Sequence, residues 1–169
     1  THGGVAKRMI NFATALVGHW RGGLALGGVL ACALFAAVSG SSPATVVAIG
    51  SILLPAMVKQ GYPMKFGVGV IGTAGGLGIL IPPSIVMVIY AVSTNSSIGQ
   101  LFIAGIVPGL LLGLLLMFVT WFVAKKRGYP CLPKASLTAR LKAFRECIWG
   151  LLLIVVVIGG IYSGVFTAT

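Results

Sequence analysis

The chain has 169 residues, 58% of them hydrophobic and 8% charged, with a mean hydropathy of +1.10 and a net charge of +11 from 12 lysines and arginines against one acid, Glu146. Soluble domains carry about 25% charged residues, so a water-soluble globule is excluded. The basic balance does not point to nucleic acid either, because the aromatic side chains that would stack on bases lie inside apolar runs or at their ends.

Residues 1–21 place apolar side chains at Val5, Met9, Ile10, Phe12, Ala13, Leu16 and Val17, near the helical period, with Lys7, Arg8 and Asn11 on other faces. This spacing predicts an amphipathic helix on the membrane surface. Residues 22–60 hold two apolar runs, Leu24 to Val38 and Val46 to Val58, around Ser39-Gly40-Ser41-Ser42-Pro43-Ala44-Thr45. Each run would rise about 20 to 25 Å as helix against a hydrocarbon core of about 30 Å. A re-entrant helical hairpin is predicted, its tip at membrane depth, where irregular backbone survives only within protein or beside a polar cavity.

Residues 61–100 open on the breaker Gly61-Tyr62-Pro63 and continue from Met64 to Val92, about 43 Å as helix and too long for one straight span. Gly75-Gly76-Leu77-Gly78 and Pro82-Pro83 interrupt this run, which predicts a broken transmembrane helix joined by unwound chain. Residues 101–124 read as a clean span with Pro108 and Gly109 as points of bending. Residues 125–146 form a basic arm in which Ser136 caps an amphipathic helix with Leu137, Leu141 and Phe144 toward the bilayer. Residues 147–166 are the last span.

The excess of lysine and arginine on cytoplasmic loops orients the chain. Arg21, Lys59, Lys65 and the basic arm fall inside, and the uncharged loop around Asn95 falls outside. Tyr90, Trp121, Tyr129 and Trp149 read as interfacial residues. Cys32, Cys131 and Cys147 make neither a metal spacing nor an even disulfide framework, so Cys32 is assigned to packing and the other two to free thiols. His2 and His19 are read as solvated or interfacial. With one glutamate and no aspartate, no set of nucleophile, base and acid is available, and the chain is not expected to be an enzyme.

The two interruptions together suggest an ion and substrate site, since broken helices meeting near the midplane are how secondary transporters build one. Pro43 in the first turn of the second arm leaves the amides of Ala44, Thr45 and Val46 at the positive end of a half-helix dipole, which suits a carboxylate. Ser42, Pro43, Ala44 and Thr45, with Thr73 from the broken helix, are the candidate substrate residues. Carbonyls near Val38 and Ser39, others turned inward at Gly75, Gly76 and Gly78, and acceptors freed by Pro82 and Pro83 suit a cation. Oxygen dipoles without a carboxylate describe a monovalent ion, and sodium is the expected one. Ser51, Ser84 and Ser93 are read as hydroxyls bonded to their own helix backbone, and Gly67, Gly69 and Gly72 as packing residues.

The stretch Ser39 to Thr45, Ile49-Gly50-Ser51-Ile52, the run from Thr73 through Gly75-Gly76-Leu77-Gly78-Ile79-Leu80-Ile81-Pro82-Pro83-Ser84, and Leu101-Phe102-Ile103-Ala104-Gly105-Ile106-Val107-Pro108-Gly109 resemble the large membrane (M) subunit of tripartite ATP-independent periplasmic transporters. The resemblance implies an all-α integral membrane protein of the bacterial inner membrane, with the elevator fold of the ion transporter superfamily. It implies sodium-driven import of organic acids such as C4-dicarboxylates or sialic acid, with a periplasmic binding protein (P), a small membrane subunit (Q) and membrane lipid as partners. Carried onto this chain, it implies that Ser39 and Ser41 and the carbonyls of Gly78, Ile81 and Pro83 hold sodium. It further implies a second inverted repeat with its own sodium site, so this chain is expected to be about half of a subunit. Gly76 stands where a threonine is frequent in the family, and Ala168 where proline is usual. A two-component sodium/carboxylate symporter and a non-transporting membrane scaffold are the alternatives.

Overall fold

The computed structural model describes residues 3–163, and all of their regular secondary structure is helical. In chain order the helices are α1 (Gly3–Val17), α2 (Gly23–Ser39), α3 (Ser42–Lys59), α4 (Met64–Gly75), α5 (Leu77–Leu80), α6 (Ile85–Thr94), α7 (Ile98–Arg127) and α8 (Leu137–Tyr162). Four segments are long and apolar enough to cross a membrane: Ser42–Lys59, Met64–Thr94, Ile98–Arg127 and Leu137–Tyr162. His2 and the expected end of the last span at Phe166 lie outside the described residues.

Helix α2 sits at the centre, touching α1, α3, α4, α5, α7 and α8. Small residues make this possible, because Gly23, Ala25, Gly27, Gly28, Ala31, Cys32, Ala36 and Ala37 are all buried along it. A Cβ at Gly28 would run into the Leu53 side chain, and one at Gly27 would lie 2.7 Å from the Thr14 methyl. Between helices in hydrocarbon there is little hydrophobic gain, so close backbone approach and van der Waals contact hold the bundle. Around α2 the core continues through Ile49, Leu53, Met57 and Ile71, each at most 1% exposed.

The connections carrying basic residues gather at one end. The Leu132 amide donates to the Gly18 carbonyl at 2.8 Å, and the Tyr62 hydroxyl donates to the Pro130 carbonyl at 3.1 Å. These bonds bring the turn bearing Arg21 and the turn after Lys59 against the α7–α8 connection, as the charge rule requires of loops on one side. Tyr62 also stacks into a cluster with Phe66 and Tyr129, whose rings lie 5.0 Å apart. Burial there pushes the Tyr62 phenol up to about 12. Tyr129, half-buried, packs into this cluster.

Three elements differ from the sequence reading. The apolar face of α1 packs on α2 and α8, burying Ala6, Met9, Ile10 and Ala13, so much of that face meets protein where a bilayer surface was expected. Helix α3 begins at Ser42, because Pro43 starts a helix rather than delaying one, and its 18 residues remove the argument that this arm is too short to span. The basic arm and the last apolar run form one helix, α8. The Ser136 hydroxyl does cap it, accepting from the Ala139 amide at 3.2 Å, and no glycine or proline follows until Gly150.

Candidate functional site

Two residues, Gly40 and Ser41, make the turn between α2 and α3. Gly40 is left-handed, with φ of 62°, and its amide donates to the Ala36 carbonyl at 2.8 Å, the glycine stop expected where a helix must reverse. Its carbonyl accepts from the Ile85 amide at 3.1 Å. A Cβ at this position would lie 2.5 Å from the Pro83 carbonyl oxygen, so the tip rests directly on residues 81–84.

Those residues are where the second segment leaves the helix. The glycines before them interrupt it by a single residue: Gly76, with near-helical angles of −59° and −20°, is a turn between α4 and α5, and Gly78 lies inside α5. Ile81 is extended, with φ −80° and ψ 118°, because a residue before proline is barred from the helical region. Pro82 and Pro83 then withhold amides, and α6 restarts at Ile85. Gly75 and Gly78 serve close packing instead. A Cβ at Gly75 would strike the Val46 side chain, and one at Gly78 would lie 2.9 Å from the Ser42 amide nitrogen. The chain thus brings Ser39, Ser41, Gly78 and Pro83 into one neighbourhood, with Ile81 on the same non-helical stretch.

The hydroxyls divide into engaged and free. Ser39 Oγ accepts from the Ser41 amide and donates to the Ser41 carbonyl, each at 3.2 Å. That carbonyl also takes the Thr45 hydroxyl at 2.8 Å and the Thr45 amide at 3.1 Å. Thr45 is fully buried, and its amide and hydroxyl both point at the tip but are spent on the Ser41 carbonyl, so neither is free for a ligand. Ser42 is half-buried and Pro43 and Ala44 are exposed, leaving the Ala44 end of the first turn open. Thr73 is exposed on α4. Its hydroxyl donates to the Gly69 carbonyl at 2.6 Å, and it lines a separate cavity of about 280 Å³ with Val29, Lys65 and Thr120.

Ser84 is the residue whose hydroxyl was expected to bond its own helix backbone and does not. Ser51 and Ser93 bond to the carbonyls of Ala48 and Ile89, at 3.1 and 2.8 Å. Ser84 is 1% exposed, stands at the N-cap of α6 without a capping bond, and its Oγ has no hydrogen-bond partner. A buried hydroxyl left unmatched costs about 1 to 3 kcal/mol. Its position directly after Pro82-Pro83, in register with the tip, was the available signal. Among the described residues no three His, Cys, Asp or Glu side chains gather. A cation at the tip would be held by hydroxyls and carbonyls alone, a donor set that suits a monovalent ion.

The family model of the tripartite ATP-independent periplasmic transporter DctM component matches residues 1–169. The chain belongs to this family. The C4-dicarboxylate TRAP transporter large permease protein DctM of Rhodobacter capsulatus is 68% identical, covering 100% of this chain and 42% of its own length. The ectoine TRAP transporter large permease protein TeaC of Halomonas elongata is 48% identical, over 100% of this chain and 40% of its own. The sialic acid TRAP transporter permease protein SiaT of Haemophilus influenzae is 41% identical, over 99% and 27%. The chain therefore spans about two fifths or less of the length of these DctM-family relatives. Its four long apolar segments and its family make it a multi-pass protein of the inner membrane.

Proposed function

We propose that this chain is the tip-bearing part of a large permease subunit that imports an organic acid on a sodium gradient, the substrate arriving on a periplasmic binding protein and a small membrane subunit bracing the frame. One observation carries the reading: the Gly40–Ser41 turn is docked by the Gly40–Ile85 bond on the proline-interrupted stretch that holds the unmatched Ser84 hydroxyl. The groups proposed to hold sodium are Ser39 and Ser41, the carbonyls of Gly78, Ile81 and Pro83, and in addition the Ser84 hydroxyl. The open first turn of α3, at Ser42, Pro43 and Ala44, is proposed to receive a substrate carboxylate at the positive end of the helix dipole. Thr45, which is fully buried, and Thr73, which lines a separate cavity, are left out of that set.

Re-entry of the hairpin is part of the same proposal. Helix α6 continues 10 residues beyond the level where the tip docks, about 15 Å toward the uncharged loop at Asn95. A tip that stopped at that level would be an internal one, and movement of such a tip as a unit is what an elevator transporter needs. A C4-dicarboxylate is the favoured substrate. The relatives so named, from three bacteria, are 68%, 62% and 58% identical, whereas those named for isethionate, ectoines or sialic acid are 41% to 48% identical.

The test is uptake of labelled succinate into liposomes holding the complete transporter, with its binding protein outside and an inward sodium gradient. Uptake that needs both supports the reading. Uptake without the binding protein indicates a two-component symporter, and uptake indifferent to sodium removes the ion from the tip.

A further inference from the structure

The chain's cations are spread over its basic end, but the fold concentrates three of them in one place. Helix α8 presents Lys142, Arg145, Glu146 and Trp149 at spacings of three and four residues, which puts them on one stripe. Helix α1 crosses beside that stripe and adds Arg8. These five residues alone line a cavity of about 350 Å³, and a second one of about 570 Å³, which reaches Asn11 and Thr14 on α1, shares Lys142 and Glu146 with it. Both volumes fall in the range of small-molecule pockets, about 300 to 1,000 Å³.

We propose that the cavity between α1 and α8 formed by Arg8, Lys142, Arg145 and Trp149 binds the phosphate headgroup of an anionic phospholipid. Three cations face one carboxylate, so the cavity is set for an anion, and guanidinium groups match phosphate oxygens two at a time. A lipid is the source, rather than a free phosphate, because of what lies next along the helix. Trp149 is 73% exposed at the border, where an amphipathic ring suits the interface. Beyond it Leu152, Leu153, Val155 and Val156 are 46% to 70% exposed on the same unbroken helix, a track for acyl chains below a bound headgroup. Basic pockets between helices at the cytoplasmic side are known headgroup sites. Glu146 opposes the anion, so its removal should tighten binding.

The experiment uses the complete permease with its small subunit in detergent and measures binding of fluorescent phosphatidylglycerol. Phosphatidylcholine and inorganic phosphate are the competitors. Each cation in contact with the headgroup accounts for about fivefold in affinity. Arg8→Gln with Arg145→Gln should lose at least about tenfold, Arg8→Lys with Arg145→Lys should keep most of the affinity, and Glu146→Gln should gain a few fold. Lys125→Gln with Lys126→Gln removes the same charge outside the cavity and should lose less than about twofold. Equal losses in the two glutamine pairs would mean diffuse attraction and overturn the site. So would absence of phosphatidylglycerol binding, or displacement of the lipid by millimolar phosphate as readily as by phosphatidylglycerol. If the Arg8 and Arg145 pair does not fold, Arg145→Gln alone against Lys126→Gln decides the matter, a loss of about fivefold against less than about twofold supporting the site and equal losses overturning it.

Discussion

The Ile85 amide donates to the Gly40 carbonyl at 3.1 Å, and through this bond the turn between two helices is fastened to the restart of a third. Neither group has a helical partner available in its place. Gly40 has left α2, and Ile85 opens α6, whose first amides have no carbonyl behind them. Each helix end supplies what the other lacks.

Gly40→Ala should break this junction. The left-handed backbone disfavours any side chain by about 1 to 3 kcal/mol, and the new methyl would meet the Pro83 carbonyl at 2.5 Å. A fall in thermal unfolding temperature of the complete subunit, together with loss of sodium-driven uptake, is the expected outcome. Wild-type uptake in this variant would mean that the tip does not need its seat on residues 81–84.

Ser84→Ala separates an ion ligand from a flaw in packing. Removing an unmatched buried hydroxyl should leave stability without sodium unchanged or raise it by about 1 kcal/mol. If the hydroxyl holds sodium, the same change should weaken sodium dependence of uptake by about tenfold to a hundredfold. Ser41→Ala should act in the same direction, and Ser51→Ala, whose hydroxyl bonds its own helix at Ala48, should not. Unaltered sodium dependence in both Ser41→Ala and Ser84→Ala would sink the assignment.

Two glycines of one segment should respond in opposite ways. At Gly78 a methyl would lie 2.9 to 3.1 Å from backbone atoms of Ser41 and Ser42, which cannot turn aside, so Gly78→Ala should destabilise the subunit and impair transport. At Gly72 nothing stands within 4 Å, and Gly72→Ala should stabilise α4 by about 0.5 to 1 kcal/mol. Thermal unfolding of the two variants side by side gives the comparison.

Tyr62→Phe removes the donor to the Pro130 carbonyl and should lower stability by about 1 kcal/mol near neutral pH. The phenol titrates near 10 in an unfolded chain and is pushed up to about 12 in the fold, so the folded state favours the protonated form. Its contribution is complete below pH about 10 and is lost as pH rises toward about 12. Unfolding measured across that window should fall more steeply in the wild type than in the phenylalanine variant. Parallel curves would show that Tyr62 is not the group responsible.

The tip was legible because Ser39 to Thr45 breaks two apolar runs with residues that stop and start helices, and Gly40 and Pro43 do so here. The second interruption was legible as an event but not in cause. Glycines permit unwinding without requiring it, whereas Pro82 and Pro83 exclude amides and constrain Ile81, so the helix is interrupted for one near-helical residue at Gly76 and is left altogether at the prolines. Helix α8 was divided in two because its charge content changes sharply near Glu146, yet charge does not end a helix and no breaker is present there. Which hydroxyls are free was beyond reach. Ser51, Ser84 and Ser93 all sit in or at the start of apolar helices, and only the packing around the N-cap of α6 leaves Ser84 without a carbonyl to meet.

Because α8 runs as one helix of 26 residues, about 39 Å, it has no joint between its wet end and its lipid end. Helix α1 packs along its first turns, with Phe12 against Phe144 at 5.7 Å. Since α1 also lies against α2, whose far end carries Gly40, an unbroken line of packed helices joins α8 to the seat of the tip.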